Sequence, residues 1–127
     1  MSGKFPAGAA RAGIQQHDGF TTLSEEAFLK YFANGVALEK AKVLCAVQWP
    51  TAASIFAGRT TVAAWHSKPT WYAVSKNDQT INPDLERFLA KRMNATTVEL
   101  DAGHLSLVSH PKDVANLILA AAGQGQS

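Results

Sequence analysis

Residues 70–111 read TWYAVSKNDQTINPDLERFLAKRMNATTVELDAGHLSLVSHP, and this stretch decides the fold. An apolar run from Thr70 to Ser75 leads through a polar loop into an amphipathic segment that begins at Pro83. A second apolar run, Thr96 to Leu100, leads through another loop to a helix that starts at Pro111. Strand, helix, strand and helix at this spacing predict an α/β unit whose two parallel strands are joined by a right-handed crossover.

One acidic residue and one histidine follow the two predicted strands. Asp78 lies just past the first strand and His104 just past the second, preceded by Gly103. Ligands of such sheets bind beyond the carboxyl ends of the strands, and a carboxylate that accepts from one imidazole nitrogen leaves the other free to act as a base. A loop aspartate is more often a turn residue and a lone histidine more often a surface residue, so the residues alone leave both interpretations open.

The remainder of the chain is divided by its breakers and apolar patterns. A helix capped by Ser24 and ended at Gly35, a second helix from Leu38 to about Gln48, a turn around Ile55 and a weakly helical Thr60 to Trp65 predict a cap-like segment. We expect an irregular arm over 1–23, the cap-like segment over 24–66, the β-α-β-α unit over 67–122 and a disordered tail over 123–127. His17 and Asp18 are neighbours in the arm, and their pattern is typical of a solvated turn.

Composition excludes several classes of protein. The chain has 127 residues and a net charge of +2, with scattered Lys and Arg and no basic block, so nucleic acid is not expected as a partner. Cys45, the one cysteine, has apolar neighbours that predict a buried thiol. The four histidines lack the spacing of a metal site, and we expect no cofactor. No apolar run is long enough to span a membrane, and the start lacks a signal peptide, so the expected location is cytoplasmic.

Two longer stretches resemble a known family. WYAVSKNDQTINPDLERFLAKRM followed by TTVELDAGHLSLVSHPKDVANLI is similar to the C-terminal part of α/β-hydrolase fold enzymes, in the esterase branch related to hydroxynitrile lyases. The upstream GFTTLSEEAFLKYFANGV and AAWHSKP resemble the cap of that branch and the return to its sheet. The resemblance implies a partial α/β-hydrolase fold, with Asp78 as the acid and His104 as the general base of a Ser-His-Asp triad.

The nucleophile of that triad has no counterpart in the sequence. Family members carry a serine in a G-x-S-x-G elbow, and none of the serines here has that context. Ser106, two residues after His104, is interpreted as a loop or cap residue. We therefore expect a protein of serine-hydrolase lineage, for small ester or amide substrates, that is inactive alone. The alternative is a non-catalytic remnant that acts as a binding or dimerisation module.

A two-stranded parallel unit also leaves one strand edge and one helix face uncovered. Trp71, Tyr72 and Phe88 are the residues expected on that surface. The sequence thus predicts a homodimer, or pairing with a separate chain, through the exposed sheet edge.

Overall fold

The computed structural model describes residues 4–123 and contains two small sheets within that range. The strands are β1 (Ile14–His17), β2 (Phe20–Leu23), β3 (Thr51–Ala52), β4 (Trp71–Ser75) and β5 (Thr96–Leu100). The α-helices are α1 (Glu25–Ala27), α2 (Leu38–Ala46), α3 (Pro83–Arg92), α4 (Ser106–Ser109) and α5 (Pro111–Ala121). A π-helical turn, Phe28–Phe32, continues α1, and 3₁₀ turns cover Ala9–Gly13, Ala53–Ala57 and Ala64–His66.

The predicted β-α-β-α unit with two parallel strands is confirmed. β4 and β5 pair in parallel from Trp71 opposite Thr96 to Ser75 opposite Leu100, and α3 packs against β4. Val74, in the middle of this unit, is 0% exposed. The apolar runs form strands because short β-branched and aromatic segments bury well in a covered sheet.

Helix α3 begins at the residue that its sequence predicts. Pro83 is the first helical residue, and the Asn82 side chain accepts a hydrogen bond from the Asp84 amide, which satisfies one of the free donors of the first turn. Arg87 then donates two hydrogen bonds, at 2.8 and 2.9 Å, to the carboxylate of Glu99 on β5. This bidentate pair links the crossover helix to the second strand.

The prediction of an irregular arm is wrong for residues 14–23, which form the β1–β2 hairpin. The two residues of its turn, Asp18 and Gly19, have φ values of 47° and 82°. Two positive φ values in a two-residue turn match the twist of paired strands, and Asp-Gly is a favoured sequence for it. β3 then pairs with β2, so the hairpin becomes a three-stranded sheet.

The start of the cap-like segment, residues 24–66, forms a small core of its own. Ser24 caps α1 by accepting from the Ala27 amide, and the following turn is π-helical, with the Ala33 amide bonded to the Phe28 carbonyl. Phe28, Ala33 and Ala41 are buried together. Gly35, at a φ of 83°, ends the turn as predicted, because glycine adopts that left-handed conformation without strain.

The rest of the cap-like segment is open. Trp49 and Val62 are 88% and 82% exposed, and Phe56 is also exposed. The weakly predicted helix over Thr60 to Trp65 is wrong, since only the short turn Ala64–His66 forms there. The run between Gly58 and Pro69 is short, so its few helical hydrogen bonds would not offset the unfavourable free energy of helix nucleation.

The exposed apolar surface therefore differs from the one predicted. Trp71 and Tyr72 are half-buried, whereas Phe88 is 37% exposed, as predicted, with its ring 5.6 Å from that of Phe5. The most exposed large apolar side chains belong to the cap-like segment instead. Cys45, predicted to be buried, is only half-buried, because α2 presents much of its surface to solvent.

In the part of the chain that the structure describes, no helix has both the length and the apolar character to cross a lipid bilayer. Except for Gly123, the predicted disordered tail over 123–127 lies outside the described residues.

Candidate functional site

The loops that follow β4 and β5 are bonded to each other beyond the ends of the strands. The Lys76 amide donates to the Leu100 carbonyl and the Asn77 amide to the Ala102 carbonyl, each at 3.0 Å. The Asn77 side chain also donates to Asp101 at 2.9 Å. The parallel pairing thus continues into the two loops and holds Asp78 opposite His104.

The structure brings the two predicted site residues together. His104 Nδ1 lies 2.7 Å from Asp78 Oδ2, a hydrogen-bond distance. The Asp78 side chain is 3% exposed and that of His104 25%. With a carboxylate as its partner, Nδ1 carries the proton and donates, which leaves the lone pair on Nε2.

The carboxylate of Asp78 is held by its own loop as well. Its Oδ1 accepts from the amides of Thr80 and Ile81 at 2.6 and 2.9 Å. Burial by itself raises the pKa of Asp78, but the hydrogen bonds from His104 and from these amides outweigh it, so the pKa lies below its usual value. Asp78 is therefore ionised at neutral pH and oriented before any substrate arrives.

Phe32, at the end of the π-helical turn, contacts the ring of His104, with ring centroids 4.9 Å apart. Two residues after Phe32, the side chain of Asn34 donates a hydrogen bond to the Asn77 carbonyl at 2.8 Å. A Cβ added at Gly103 would overlap the backbone and side-chain oxygens of Asn34. Glycine before the histidine is thus required for the close approach of the cap-like segment to the loop.

A second carboxyl group, which was not predicted from the sequence, borders the same cavity as the pair. Glu86 on α3 is 4% exposed, and its Oε2 accepts from the Ser75 amide at 2.9 Å. Burial, opposed by the Ser75 amide but assisted by the hydrogen bond and charge of Asp78, raises the pKa of Glu86 to about 7.

The sequence contains only a weak signal for Glu86. Glu86 and Ala90 are four residues apart and are the buried residues of α3, while Phe88 is partly exposed. Residues four apart lie on the same face of a helix, and the small Ala90 is compatible with close packing of that face against the strands.

One cavity contains the site and another lies beside it. The smaller, of about 270 Å³, is bordered by His104, Asp78, Glu86 and Ser106 among others. The larger, of about 580 Å³, is lined mainly by apolar side chains, including those of Phe28, Phe32 and Leu105. Phe32 connects the two regions, because it lines the larger cavity and contacts the ring of His104.

The other histidines lie away from this pair. His17 and Asp18 are exposed at the end of the hairpin, in agreement with a solvated turn. His66 stacks on Trp65 with ring centroids 3.7 Å apart, and His110 Nδ1 lies 2.9 Å from Ser109 Oγ at the start of α5. Among residues 4–123, no group of three or more His, Cys, Asp or Glu side chains is arranged to hold a metal ion.

Comparison with known proteins gives one match. A family model described as alpha/beta hydrolase family matches residues 1–117 of the 127. No curated protein and no solved structure matches the chain.

Proposed function

Because the chain belongs to the alpha/beta hydrolase family, we propose that Asp78 and His104 are the acid and the general base of a serine-hydrolase site in the esterase branch. The observation that carries this proposal is the 2.7 Å contact between the ionised, buried Asp78 and Nδ1 of His104. This contact selects the imidazole tautomer whose Nε2 can take a proton from a hydroxyl nucleophile.

The chain supplies only part of the machinery. A triad acts as a unit, so an acid and base without their serine lose most of the rate. The 127 residues contain no G-x-S-x-G elbow. Our proposal is that this chain alone has no meaningful hydrolase activity and that a second polypeptide segment provides the nucleophile and the oxyanion hole.

The proposed substrates are small esters or amides. The apolar cavity of about 580 Å³ beside Phe32 has the size and lining to hold a small apolar acyl or alcohol group. The cavity lies close to the ring of His104, since Phe32 both lines the cavity and contacts that ring.

An activity assay in two arms tests the proposal. In the first arm the purified chain is incubated with p-nitrophenyl acetate beside His104→Ala, and we expect equal rates at background level. In the second arm the chain is co-expressed with a segment that carries a G-x-S-x-G elbow, taken from a reading frame adjacent to its own. We expect hydrolysis that disappears with His104→Ala.

Two results would contradict the proposal. Turnover by the chain alone that is lost with His104→Ala would refute its inactivity. A folded, active complex that keeps its rate with His104→Ala would refute the role of the pair. The control variant is His66→Ala, because His66 lies in the return loop and stacks on Trp65 instead of contacting Asp78.

A second candidate function is a binding or dimerisation module, which the exposed apolar residues of the cap-like segment favour. Trp49, Phe56 and Val62 have most of their surface uncovered, and Trp49 and Phe56 line the same apolar cavity. Large exposed apolar side chains that lie together mark interaction sites. Light scattering on the purified chain tests it. A concentration-dependent dimer that Trp49→Gln weakens would support the module, and a stable monomer would refute it together with pairing through the sheet edge.

A further inference from the structure

We propose that Glu86 is a positioning residue that stays protonated at neutral pH and donates a hydrogen bond to the Asp78 carboxylate, so that Asp78 remains aligned with His104. The inference deepens the proposed function, on which its catalytic meaning rests. Its physical claim, the location of one proton, stands on the geometry of three side chains and does not depend on turnover.

The geometry favours a proton on one of the two carboxyl groups. As whole residues, Glu86 and Asp78 are 4% and 7% exposed, and they border the same cavity. Both are bonded to Ser75, whose amide donates to Glu86 at 2.9 Å and whose carbonyl accepts from the Asp78 amide at 3.1 Å. Two ionised carboxylates only accept hydrogen bonds, so a bond between them exists only when one of them is protonated. Two buried negative charges in contact would also repel each other with little screening by water.

The partners of each group decide which one holds the proton. Asp78 accepts from the Thr80 and Ile81 amides and pairs with His104, so three donors stabilise its anion. Glu86 accepts from a single amide, that of Ser75. The anion is better stabilised on Asp78, and the proton therefore belongs to Glu86.

The shifts in pKa agree with this assignment. Burial is the main cause that raises the pKa of Glu86 to about 7, and the hydrogen bond and charge of Asp78 add to it, while the Ser75 amide and the charge of His104 oppose it. The pKa of the nearby Tyr72 is raised by burial and by the charges of Glu86 and Asp78. On α3 itself, Arg87 is bonded to Asp84 and Glu99 instead of Glu86.

A protonated Glu86 completes the coordination of Asp78. A carboxylate has about four acceptor positions, and Asp78 then accepts from two amides, from the imidazole and from Glu86. When Glu86 releases its proton to solvent, that fourth bond is lost and a second negative charge lies against Asp78. No other bond forms or breaks, so the proton on Glu86 affects only the orientation of the Asp78 carboxylate.

The direct test is a carbon-13 NMR titration of the side-chain carboxyl groups in the intact chain. We expect the Glu86 carboxyl signal to titrate near pH 7, far above the value of about 4.3 that is usual for glutamate. Glu86→Gln assigns the signal by removing it. In Asp78→Asn the midpoint should fall, because a neutral amide no longer raises the pKa of Glu86.

A titration of Glu86 near pH 4 would overturn the inference. A midpoint near 7 that disappears in His104→Ala would also overturn it, because the signal would then report the protonation of the imidazole. We expect the step to persist in that variant at a somewhat higher pH, since the imidazolium charge lowers the pKa of Glu86.

The positioning role has its own readout, the nitrogen-15 NMR spectrum that distinguishes the tautomers of His104. Glu86→Gln keeps an N–H donor for Asp78 and an acceptor for Ser75, so we expect the Nδ1–H tautomer to be retained. Glu86→Leu removes both, and we expect the fraction of this tautomer to fall. An unchanged fraction in a folded Glu86→Leu variant would overturn the role, and if that variant does not fold the titration of the natural chain still decides.

The two proposals fail in different ways. An ordinary titration of Glu86 refutes the positioning role and leaves the Asp78–His104 pair intact. A complemented enzyme that does not need His104 refutes the hydrolase site and leaves the location of the proton unchanged.

Discussion

The cap-like segment and the β4–α3–β5 unit differ in how completely they cover their large apolar side chains. In the β4–α3–β5 unit Val74 is fully buried, and the buried carboxyl groups of Asp78 and Glu86 have hydrogen-bond partners. In the cap-like segment several of the largest apolar side chains, such as Trp49 and Phe56, are exposed. The comparison teaches that the acid–base site is organised by its own loops and helix, while the cap-like segment has apolar surface left to cover.

The largest expected effect comes from the same substitution made once in each region. Val74→Ala removes two methyl groups from a fully buried position and should lower the free energy of unfolding by about 2–3 kcal/mol. Val62→Ala, at a position 82% exposed, should change it by less than about 0.5 kcal/mol. Urea unfolding followed by circular dichroism measures both, and equal losses would contradict the contrast between the regions.

A second substitution breaks the contact between the regions. Gly103→Ala places a methyl group against the oxygens of Asn34 and should lower the free energy of unfolding by about 2 kcal/mol, because the backbone of one segment has to move. Gly19→Ala is not a suitable control, since Gly19 has a φ of 82°. Gly58→Ala is one, because Gly58 has an extended backbone and only the Ile55 carbonyl oxygen lies close to its added Cβ. Equal stability of the two variants would show that the segments are not in close contact.

A smaller effect, of about 1–2 kcal/mol, concerns pH and belongs to the β4–α3–β5 unit alone. The pKa of Glu86 is raised from 4.5 to about 7 in the folded state, so between these values the folded chain holds a proton that the unfolded chain releases. Its contribution to stability is complete below pH 4.5 and is lost as the pH rises through 7. The expected change in the free energy of unfolding is smaller than the full value implied by the pKa difference, because solvent reaches the site on the side of His104 and screens its charges.

Asp78 has the opposite dependence. Its pKa is lowered from 3.8, so its contribution is present above that value and is lost as the pH falls further into the acid range. Unfolding measurements from pH 5 to 7.5 separate the two carboxyl groups, because of these two only Glu86 titrates there. The comparison with Glu86→Gln cancels the contribution of the histidines, which titrate in the same range. The natural chain should lose stability over this range relative to Glu86→Gln, and parallel curves for the two proteins would contradict the assignment.

The sequence predicted the β4–α3–β5 unit far better than the region before it. Pro83, the Asn82 cap and the two short apolar runs are local signals, and they placed the start of α3 and both strands to within one residue. The sequence predicted a solvated turn at His17 and Asp18 but not the two strands that flank it. All four residues of β1 are exposed. Its sequence therefore has no alternation of apolar and polar residues that would predict a strand.

The predicted pair lies together, and a buried carboxyl group that was not predicted, that of Glu86, borders the same cavity. Asp78 and His104 could be placed at the same sheet edge because each follows a strand, and topology sets that position. Glu86 could not be placed so easily, because its burial depends on the rotation of α3 against β4. In sequence it has the form of an ordinary acidic residue in the first turn of a helix, where the dipole favours it.

The measurement that tests the central claim most directly is the tautomeric state of His104, read from its nitrogen-15 chemical shifts in the intact chain. If Asp78 and His104 form the acid–base half of a hydrolase site, neutral His104 carries its proton on Nδ1, and Asp78→Ala abolishes that preference. The exposed His17 in the same sample serves as the internal reference for an unconstrained imidazole. A neutral His104 with its proton mainly on Nε2, or a spectrum unchanged by Asp78→Ala, would contradict the account.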